Sequence, residues 1–214
     1  MKNKSKAFIE LPDEISELTI TSAFIGASKN FFIIEEHFFC TNNIPLNQYL
    51  NYLSQLAFCI ELGLKNIIKI TNKVWKSHDL ETLFTAADEE TNHNFSKKFF
   101  GSFNENFQRQ FLDLLSKCKC LFEEARYCHG NSLSLFFHDQ YLIENDILDF
   151  KKTMETNESL MMLKLFLSEL GEYHNFIHDN SVRNAPKAND PNDQISSIIR
   201  TKFEMQENIS VVEK

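Results

Sequence analysis

Arg126 and His129 are the side chains whose types best suit chemistry on a phosphate group. They lie close together at the end of a predicted helix. A guanidinium can hold a phosphate bidentately and stabilise its developing charge, and an imidazole can transfer a proton to or from a hydroxyl. On a continuing helix, residues three apart share a face, so the two side chains could converge. The alternative is structural: Arg126 would pair with Glu123 and with the negative end of the helix dipole.

His78 and Asp79 form a second candidate, at the start of another predicted helix. Adjacent helical residues point in different directions, so the two side chains do not form an obvious reacting pair. One interpretation is that Ser77 and His78 cap the helix while Leu80 packs against the core. The other is that His78 or Asp79 lines a nucleotide pocket.

Two groups of residues have the types of metal ligands without the matching spacing. Cys118 and Cys120 are two apart on a predicted helix, so they face opposite sides of it. His174 and His178 have ligand spacing, but the glutamate of the zinc-protease motif does not follow the first histidine. We therefore interpret the histidine pair as a solvated helix face and predict no metal and no cofactor.

The composition favours a mainly α protein with an aromatic core. The chain has 214 residues, of which 21 are Phe, 5 Gly and 4 Pro. Its net charge of −8 makes duplex DNA an unexpected partner. The first residues show no apolar leader, no stretch predicts a membrane span, and the five cysteines are an odd number. These features predict a cytoplasmic protein with reduced thiols and no contact with a membrane.

Hydrophobic periodicity places the main elements. Apolar residues at three- and four-residue spacing predict a helix of about six turns after Pro45, in which Gly63 either weakens the helix or admits a close neighbour. A long helix is expected from Asn104, its cap, to about Tyr127, followed by helices over roughly 133–154 and 157–178. Residues 88–103 are expected to be irregular, and residues 194–206 to form a short helix. Residues 18–40 suit either a β-hairpin or a helix over 28–39.

Three segments occur in the order and spacing of a known family. Residues 60–68 (IELGLKNII) contain a glutamate followed by leucine and lysine, residues 77–84 (SHDLETLF) a histidine-aspartate-leucine helix start, and residues 124–127 (EARY) close a later helix. Together they resemble HEPN domains, the higher eukaryotes and prokaryotes nucleotide-binding family, over roughly residues 45–130.

The resemblance implies an antiparallel helical bundle that pairs as a homodimer and acts on RNA or nucleotides. It implies a metal-independent ribonuclease of a toxin–antitoxin or antiviral defence system, with a cognate antitoxin or defence partner. Arg126 and His129 would then be catalytic, and the nucleotide or RNA would contact five residues: His78, Asp79, Arg126, Tyr127 and Asn131. The predicted organisation is an N-terminal segment (1–40), a HEPN-like helical domain (41–180) and a loop, short helix and polar tail (181–214).

The sequence departs from the family at the catalytic histidine. The family places it four to six residues after the arginine, where this chain has Asn131 or its neighbours, and His129 lies only three residues after Arg126. This departure leaves two alternatives open. One is a non-catalytic helical dimerisation or adaptor module. The other is a small-molecule nucleotide binder, with its pocket between the helices at 45–70 and 104–127.

Overall fold

A computed structural model describes residues 13–68, 73–101, 103–137, 142–143 and 145–179. Over these residues the protein is mainly helical, which confirms the predicted fold class. The α-helices are α1 (Asp13–Thr41), α2 (Leu46–Ile67), α3 (Leu80–Glu90), α4 (Asn94–Phe100), α5 (Glu105–Lys117), α6 (Leu121–Tyr127), α7 (Phe150–Thr156) and α8 (Glu158–Asp179). Short strands lie at β1 (Asn43–Pro45), β2 (Leu142–Ile143) and β3 (Ile147–Asp149), and 3₁₀ turns at Lys73–Lys76 and Ser132–Leu135.

Of the two alternatives for residues 18–40, the β-hairpin is wrong, because these residues lie within the single helix α1. The helical alternative for residues 28–39 is confirmed and extends in both directions. Phe24, Phe31 and Phe38 recur every seven residues and are buried, which gives one stripe over four turns. That stripe belongs to the same hydrophobic core as α2 and α8. The helix is therefore stabilised by the packing of this stripe against the core. The apolar runs at 18–25 and 31–39, taken alone, also suited strands.

The helix predicted after Pro45 is confirmed as α2, the central element of the bundle. It contacts α1, α3, α6 and α8, so most of its residues from Tyr49 to Lys65 are buried. At Gly63 an added Cβ would lie 2.9 Å from the Phe24 ring and 3.1 Å from the Leu170 side chain. Gly63 therefore permits the close approach of α1 and α8 to α2.

Two further predictions about the elements need correction. The single helix over 104–127 is divided into α5 and α6 by a turn at residues 118–120, although Asn104 caps α5 as expected. The helix over 133–154 is replaced by a 3₁₀ turn, the strands β2 and β3, and α7. In the sheet β3 is central, with β1 and β2 antiparallel to it.

Residues 88–103, which we expected to be irregular, include the helix α4. The last predicted helix of the main body, over 157–178, is confirmed as α8. The loop, short helix and tail predicted after residue 180 lie outside the described residues.

Phenylalanine rings fill the centre of the bundle. Phe99 of α4, Phe111 of α5 and Phe166 of α8 are buried, with ring centroids 4.9–5.0 Å apart in edge or tilted contacts. Such pairs bury large apolar area without a polar atom to satisfy. Among the described helices, none has the length and apolar character that a bilayer crossing requires.

A buried polar group joins three helices beside this aromatic core. The Glu35 carboxylate on α1 accepts a hydrogen bond from the Tyr52 hydroxyl at 2.5 Å and lies 2.6 Å from the Lys164 ammonium. All three side chains are almost fully buried. Burial lowers the pKa of Lys164 against the opposing effect of Glu35, and burial raises the pKa of Tyr52. This pairing avoids an uncompensated charge inside the bundle.

Candidate functional site

An open pocket of about 400 Å³ lies where α1, α2 and α6 meet. Its size is within the range of about 300–1,000 Å³ that is usual for small-molecule sites. Its position also agrees with the alternative that placed a nucleotide pocket between residues 45–70 and 104–127. The pocket is lined by Ala27, Asn30, Asn51, Ser54, Gln55, Phe58, Phe122 and Arg126.

Helical spacing brings these residues to one place. Asn51, Ser54, Gln55 and Phe58 follow an i, i+3, i+4, i+7 pattern, so they share one face of α2. In the same way Ala27 and Asn30 share a face of α1, and Phe122 and Arg126 a face of α6. Three helices therefore each contribute side chains from adjacent turns.

Two aromatic rings line the pocket. The Phe58 and Phe122 rings lie 5.6 Å apart between centroids with an interplanar angle of 31°. Phe58 remains 38% exposed although it is a large apolar residue. The Ser54 hydroxyl donates to the Phe122 carbonyl at 3.5 Å, which connects α2 to α6. A flat ligand could stack on this surface.

Arg126 is exposed, with its guanidinium 5.9 Å from the Phe122 ring centroid and 5.9 Å from that of Tyr127. These distances are within the range of a cation–π contact. In the described part of the chain, no carboxylate pairs with this guanidinium, so the structural alternative of a Glu123 partner is not found. The hydrogen-bonding edge of the guanidinium is therefore available to an anion.

His129 does not share a helical face with Arg126. Helix α6 ends at Tyr127, and Cys128 adopts a left-handed conformation with φ of 56°. The premise that a continuing helix would align the two side chains is therefore wrong. His129 instead lies against Tyr127, with ring centroids 6.2 Å apart.

Glu124 shapes the loop that carries His129 and Asn131. Its carboxylate accepts a hydrogen bond from the Ser132 amide at 2.8 Å, and its carbonyl accepts one from the His129 amide at 3.1 Å. Gly130 has φ of 122°, and a Cβ there would lie only 2.1 Å from the Glu124 side chain. Asn131 is exposed, and its carbonyl accepts a hydrogen bond from the Ser134 hydroxyl. The glutamate of the EARY segment thus holds the loop in place.

His78 and Asp79 lie at the start of α3, away from the lining of the pocket. Asp79, rather than Ser77 or His78, is the N-cap, and its carboxylate accepts hydrogen bonds from the Glu81 and Thr82 amides at 3.0 and 3.1 Å. The Ser77 hydroxyl accepts a hydrogen bond from the Asp79 amide. The structure therefore uses the Asp79 carboxylate to begin a helix.

The first two sequence segments of the resemblance are joined through Glu61. Its buried carboxylate oxygen Oε1 lies 3.0 Å from His78 Nδ1 and accepts from the Lys65 ammonium at 2.7 Å. The Lys65 ammonium also lies 5.6 Å from the Trp75 ring centroid. Glu61, Lys65 and His78 thus fix the position of α3 on α2.

The metal-ligand candidates are separated, and one needs correction. Cys118 is buried and Cys120 is exposed, although both lie in the turn between α5 and α6 and not on the single helix that was predicted. His174 is buried, with its ring against Phe24 at 5.8 Å between centroids and its Nδ1 in hydrogen-bond contact with Asn66. The solvated face predicted for it is therefore wrong. The side chain of His178 lies outside the described residues.

Sequence reasoning identified Arg126 and a pocket between residues 45–70 and 104–127, but it missed the other residues that line this pocket. The available signal was on the face of α2 opposite its apolar stripe. Asn51 and Gln55 are polar there, and Phe58 is an apolar residue on the same face. Without knowledge that α1 and α6 flank this face, it reads as an ordinary solvated one.

Comparison of the chain with protein-family models, curated proteins and solved structures gives no match. The function is therefore argued from the geometry of the site and from the resemblance carried by the three segments.

Proposed function

We propose that the protein is a HEPN-like protein that binds RNA or a nucleotide, with Arg126 holding a phosphate beside the pocket of α1, α2 and α6. The observation that carries the proposal is the exposed Arg126 guanidinium at a pocket lined by two aromatic rings and three carboxamides. Unpaired nucleotides are recognised by this combination: stacking on aromatic rings, hydrogen bonds to base edges, and an arginine on the phosphate.

The resemblance supports the same class of ligand. The EARY segment that contains Arg126 lies on α6, which packs against α2, the helix that also contains Glu61 and Lys65. The three segments thus belong to one helical body with the arginine exposed, as a composite site between two copies would require. An effector of a toxin–antitoxin or antiviral system is the role that the family resemblance favours.

Ribonuclease activity is the extension of this proposal. Among the residues lining the pocket, the polar groups are amides, a hydroxyl and a guanidinium. None of these groups is suited to act as a general acid or base near neutral pH. His129 on the following loop would supply that function. Because α6 does not align His129 with Arg126 within one chain, we propose that two chains combine these groups in a homodimer.

Binding is tested by fluorescence anisotropy with a labelled single-stranded RNA in EDTA. We expect Arg126→Ala to weaken binding tenfold or more, because a hydrogen bond to a charged group contributes about 1.5–3 kcal/mol. Arg109→Ala is the matched control, since Arg109 is an exposed arginine on α5 that donates to Asn106. Equal affinity of the Arg126 variant and the wild type would contradict the proposal.

Catalysis is tested separately with the same RNA. We expect the wild type to cleave it in EDTA, and His129→Ala to abolish cleavage while it keeps RNA affinity. Light scattering at the assay concentration should give the mass of a dimer. RNA that binds in an Arg126-dependent manner without being cleaved would limit the function to binding.

A non-catalytic dimerisation or adaptor module is the second candidate. It is favoured by Ile25 and Ile33 of α1, which are 40% and 64% exposed in a helix whose other face is buried. Exposed apolar residues on one element are common at protein interfaces. A dimer that Ile33→Glu converts to a monomer, together with no RNA affinity, would support this candidate over the first.

A further inference from the structure

We infer that the pocket recognises an adenine base, with Asn30, Asn51 and Gln55 reading its edges while Arg126 holds a single phosphate. This inference rests on the proposed function and adds the identity of the base and the residues that select it. The ligand is an adenine nucleotide unit, either free adenosine monophosphate or an unpaired adenosine within single-stranded RNA.

The carboxamides are available for recognition. Asn30 comes from α1, and Asn51 and Gln55 are one turn apart on α2, so two helices contribute carboxamides to the lining of the pocket. Within the described part of the chain, none of the three side chains takes part in a hydrogen bond. Their donors and acceptors are therefore exposed to whatever fills the pocket, while the Ser54 hydroxyl already donates to the Phe122 carbonyl.

The chemistry of the lining carboxamides favours adenine over the other bases. A carboxamide presents one donor beside one acceptor, which matches an amino hydrogen beside a ring nitrogen. Adenine has this pair twice, because its two N6 hydrogens lie beside N1 and N7 respectively. Adenine can thus bind two carboxamides, one on each edge. Cytosine and uracil have a single ring and therefore offer fewer edges to carboxamides.

Guanine is disfavoured by the types of the lining residues. Its O6 and N7 are both acceptors, and the residue that suits them is arginine or lysine. Its adjacent N1 and N2 donors suit a carboxylate. The residues lining the pocket include no acid, and their single arginine is needed for the phosphate.

The two aromatic rings and the single charge fit one nucleotide unit. The Phe58 and Phe122 rings offer a stacking surface on which a purine covers more area than a pyrimidine. Among the eight residues that line the pocket, Arg126 carries the one charge. One phosphate contact on single-stranded RNA predicts that log K falls with log salt with a slope of about −0.7.

The experiment compares bases on the full-length protein by isothermal titration. The probes are the 5′-monophosphates of adenosine, guanosine, cytidine and uridine, and short oligoadenylate and oligouridylate. We expect the adenine member of each set to bind roughly tenfold more tightly than the uracil member, as one bidentate base contact provides. Tighter binding of oligoadenylate than of the monophosphate identifies RNA as the source of the base, and the reverse identifies the free nucleotide.

Variants separate base recognition from phosphate binding. Gln55→Met and Asn51→Leu remove a carboxamide at nearly constant size, and we expect each to lower the adenine-to-uracil affinity ratio towards one with little change for uracil. Gln110→Met, at an exposed glutamine of α5, should keep the wild-type ratio. Melting temperatures confirm that each variant is folded.

The outcomes distinguish this inference from the proposed function. Equal affinity for all four bases, lost in Arg126→Ala, would overturn adenine recognition and leave RNA or nucleotide binding intact. A preference for adenine that persists in both carboxamide variants would overturn the assignment of the residues. Failure of every probe to bind would overturn both the inference and the proposed function.

Discussion

One carboxylate fixes the start of α3, although its neighbourhood suggested a binding role. Asp79 accepts hydrogen bonds from two amides of the first helical turn, which would otherwise have no partner within the helix. The adjacent His78 reaches in the other direction, to Glu61 on α2. Adjacent residues of one sequence segment thus perform two structural tasks, and both serve to position α3.

Replacing this cap gives the first prediction at the scale of a residue. We expect Asp79→Ala to lower the free energy of unfolding by about 1 kcal/mol, because two amide hydrogen bonds to the carboxylate are lost. Asp79→Asn should recover most of it, since asparagine is a comparable cap. Urea denaturation measures both. An alanine variant as stable as the wild type would show that the cap contributes nothing, and lost RNA affinity in a folded Asp79→Asn variant would restore its binding role.

At the scale of the element, the same residue type has opposite consequences in different helices. Outside the local helix backbone, an added Cβ at Gly26 of α1 or Gly171 of α8 would have no heavy atom within 4 Å, whereas at Gly63 of α2 it would meet Phe24 and Leu170 at 2.9 and 3.1 Å. Alanine is favoured over glycine within a helix by about 1 kcal/mol. That gain is opposed wherever the new methyl group meets a packed ring.

The three glycines therefore form a matched series. We expect Gly26→Ala and Gly171→Ala each to raise the free energy of unfolding by about 0.5–1 kcal/mol, since only the helical preference changes. Gly63→Ala should lower it relative to those two by about 1–3 kcal/mol, the usual cost of overpacking. Urea denaturation of the three variants is the measurement. A stabilisation by Gly63→Ala equal to the others would mean that α1 and α8 move to accommodate the methyl group without a loss of stability.

Elements with a strong local pattern were predictable, and those that depend on distant partners were not. The α2 stripe after Pro45 determined its own helix, and Asn104 marked the start of α5. The α5–α6 turn contains no glycine or proline, so the Cys118 region gave no signal of a break. Strand β1 exists because Asn43 pairs with Asp149, more than 100 residues apart in sequence. Such a pairing has no local signature.

The candidate site shows the same division. Arg126 was found because its segment resembles a family. The carboxamides were missed because Asn51 and Gln55 on α2 acquire meaning only when Asn30 of α1 and Phe122 of α6 surround them. A site assembled by three helices is a property of their packing, which single-helix periodicity does not contain.

At the scale of the whole molecule, the core contains thiol and phenol groups that stay protonated in the folded state at pH values where the unfolded chain releases these protons. Burial raises the pKa of the Cys59 thiol to about 12, and burial with the nearby Glu124 raises the pKa of Cys118 to about 12. Burial also raises the pKa of Tyr49 and Tyr52. Lys164 has the opposite effect on stability, because burial lowers its pKa and the unfolded chain then binds the extra proton.

These groups predict that the protein loses stability in alkali. Above pH 9, the ordinary pKa of the thiols, the unfolded chain releases protons that folded Cys59 and Cys118 keep, so the free energy of unfolding falls as pH rises. Each thiol contributes at most about 1.4 kcal/mol per pH unit, and this continues towards pH 12. The two tyrosines add to the loss above pH 10, while Lys164 offsets part of it below pH 10.5.

The thiol contribution can be isolated by comparing slopes rather than absolute stabilities. Urea denaturation at pH 8, 9 and 10 should show that the Cys59→Ala, Cys118→Ala double variant loses less stability than the wild type between pH 9 and 10, by up to about 2 kcal/mol. Cavities left by the substitutions lower stability at every pH and therefore cancel in this difference. Cys128→Ala, which replaces an exposed thiol outside the core, is the matched control. Parallel slopes for the double variant and the wild type would mean that water reaches Cys59 and Cys118 in the folded protein, and that this part of the helical core is open.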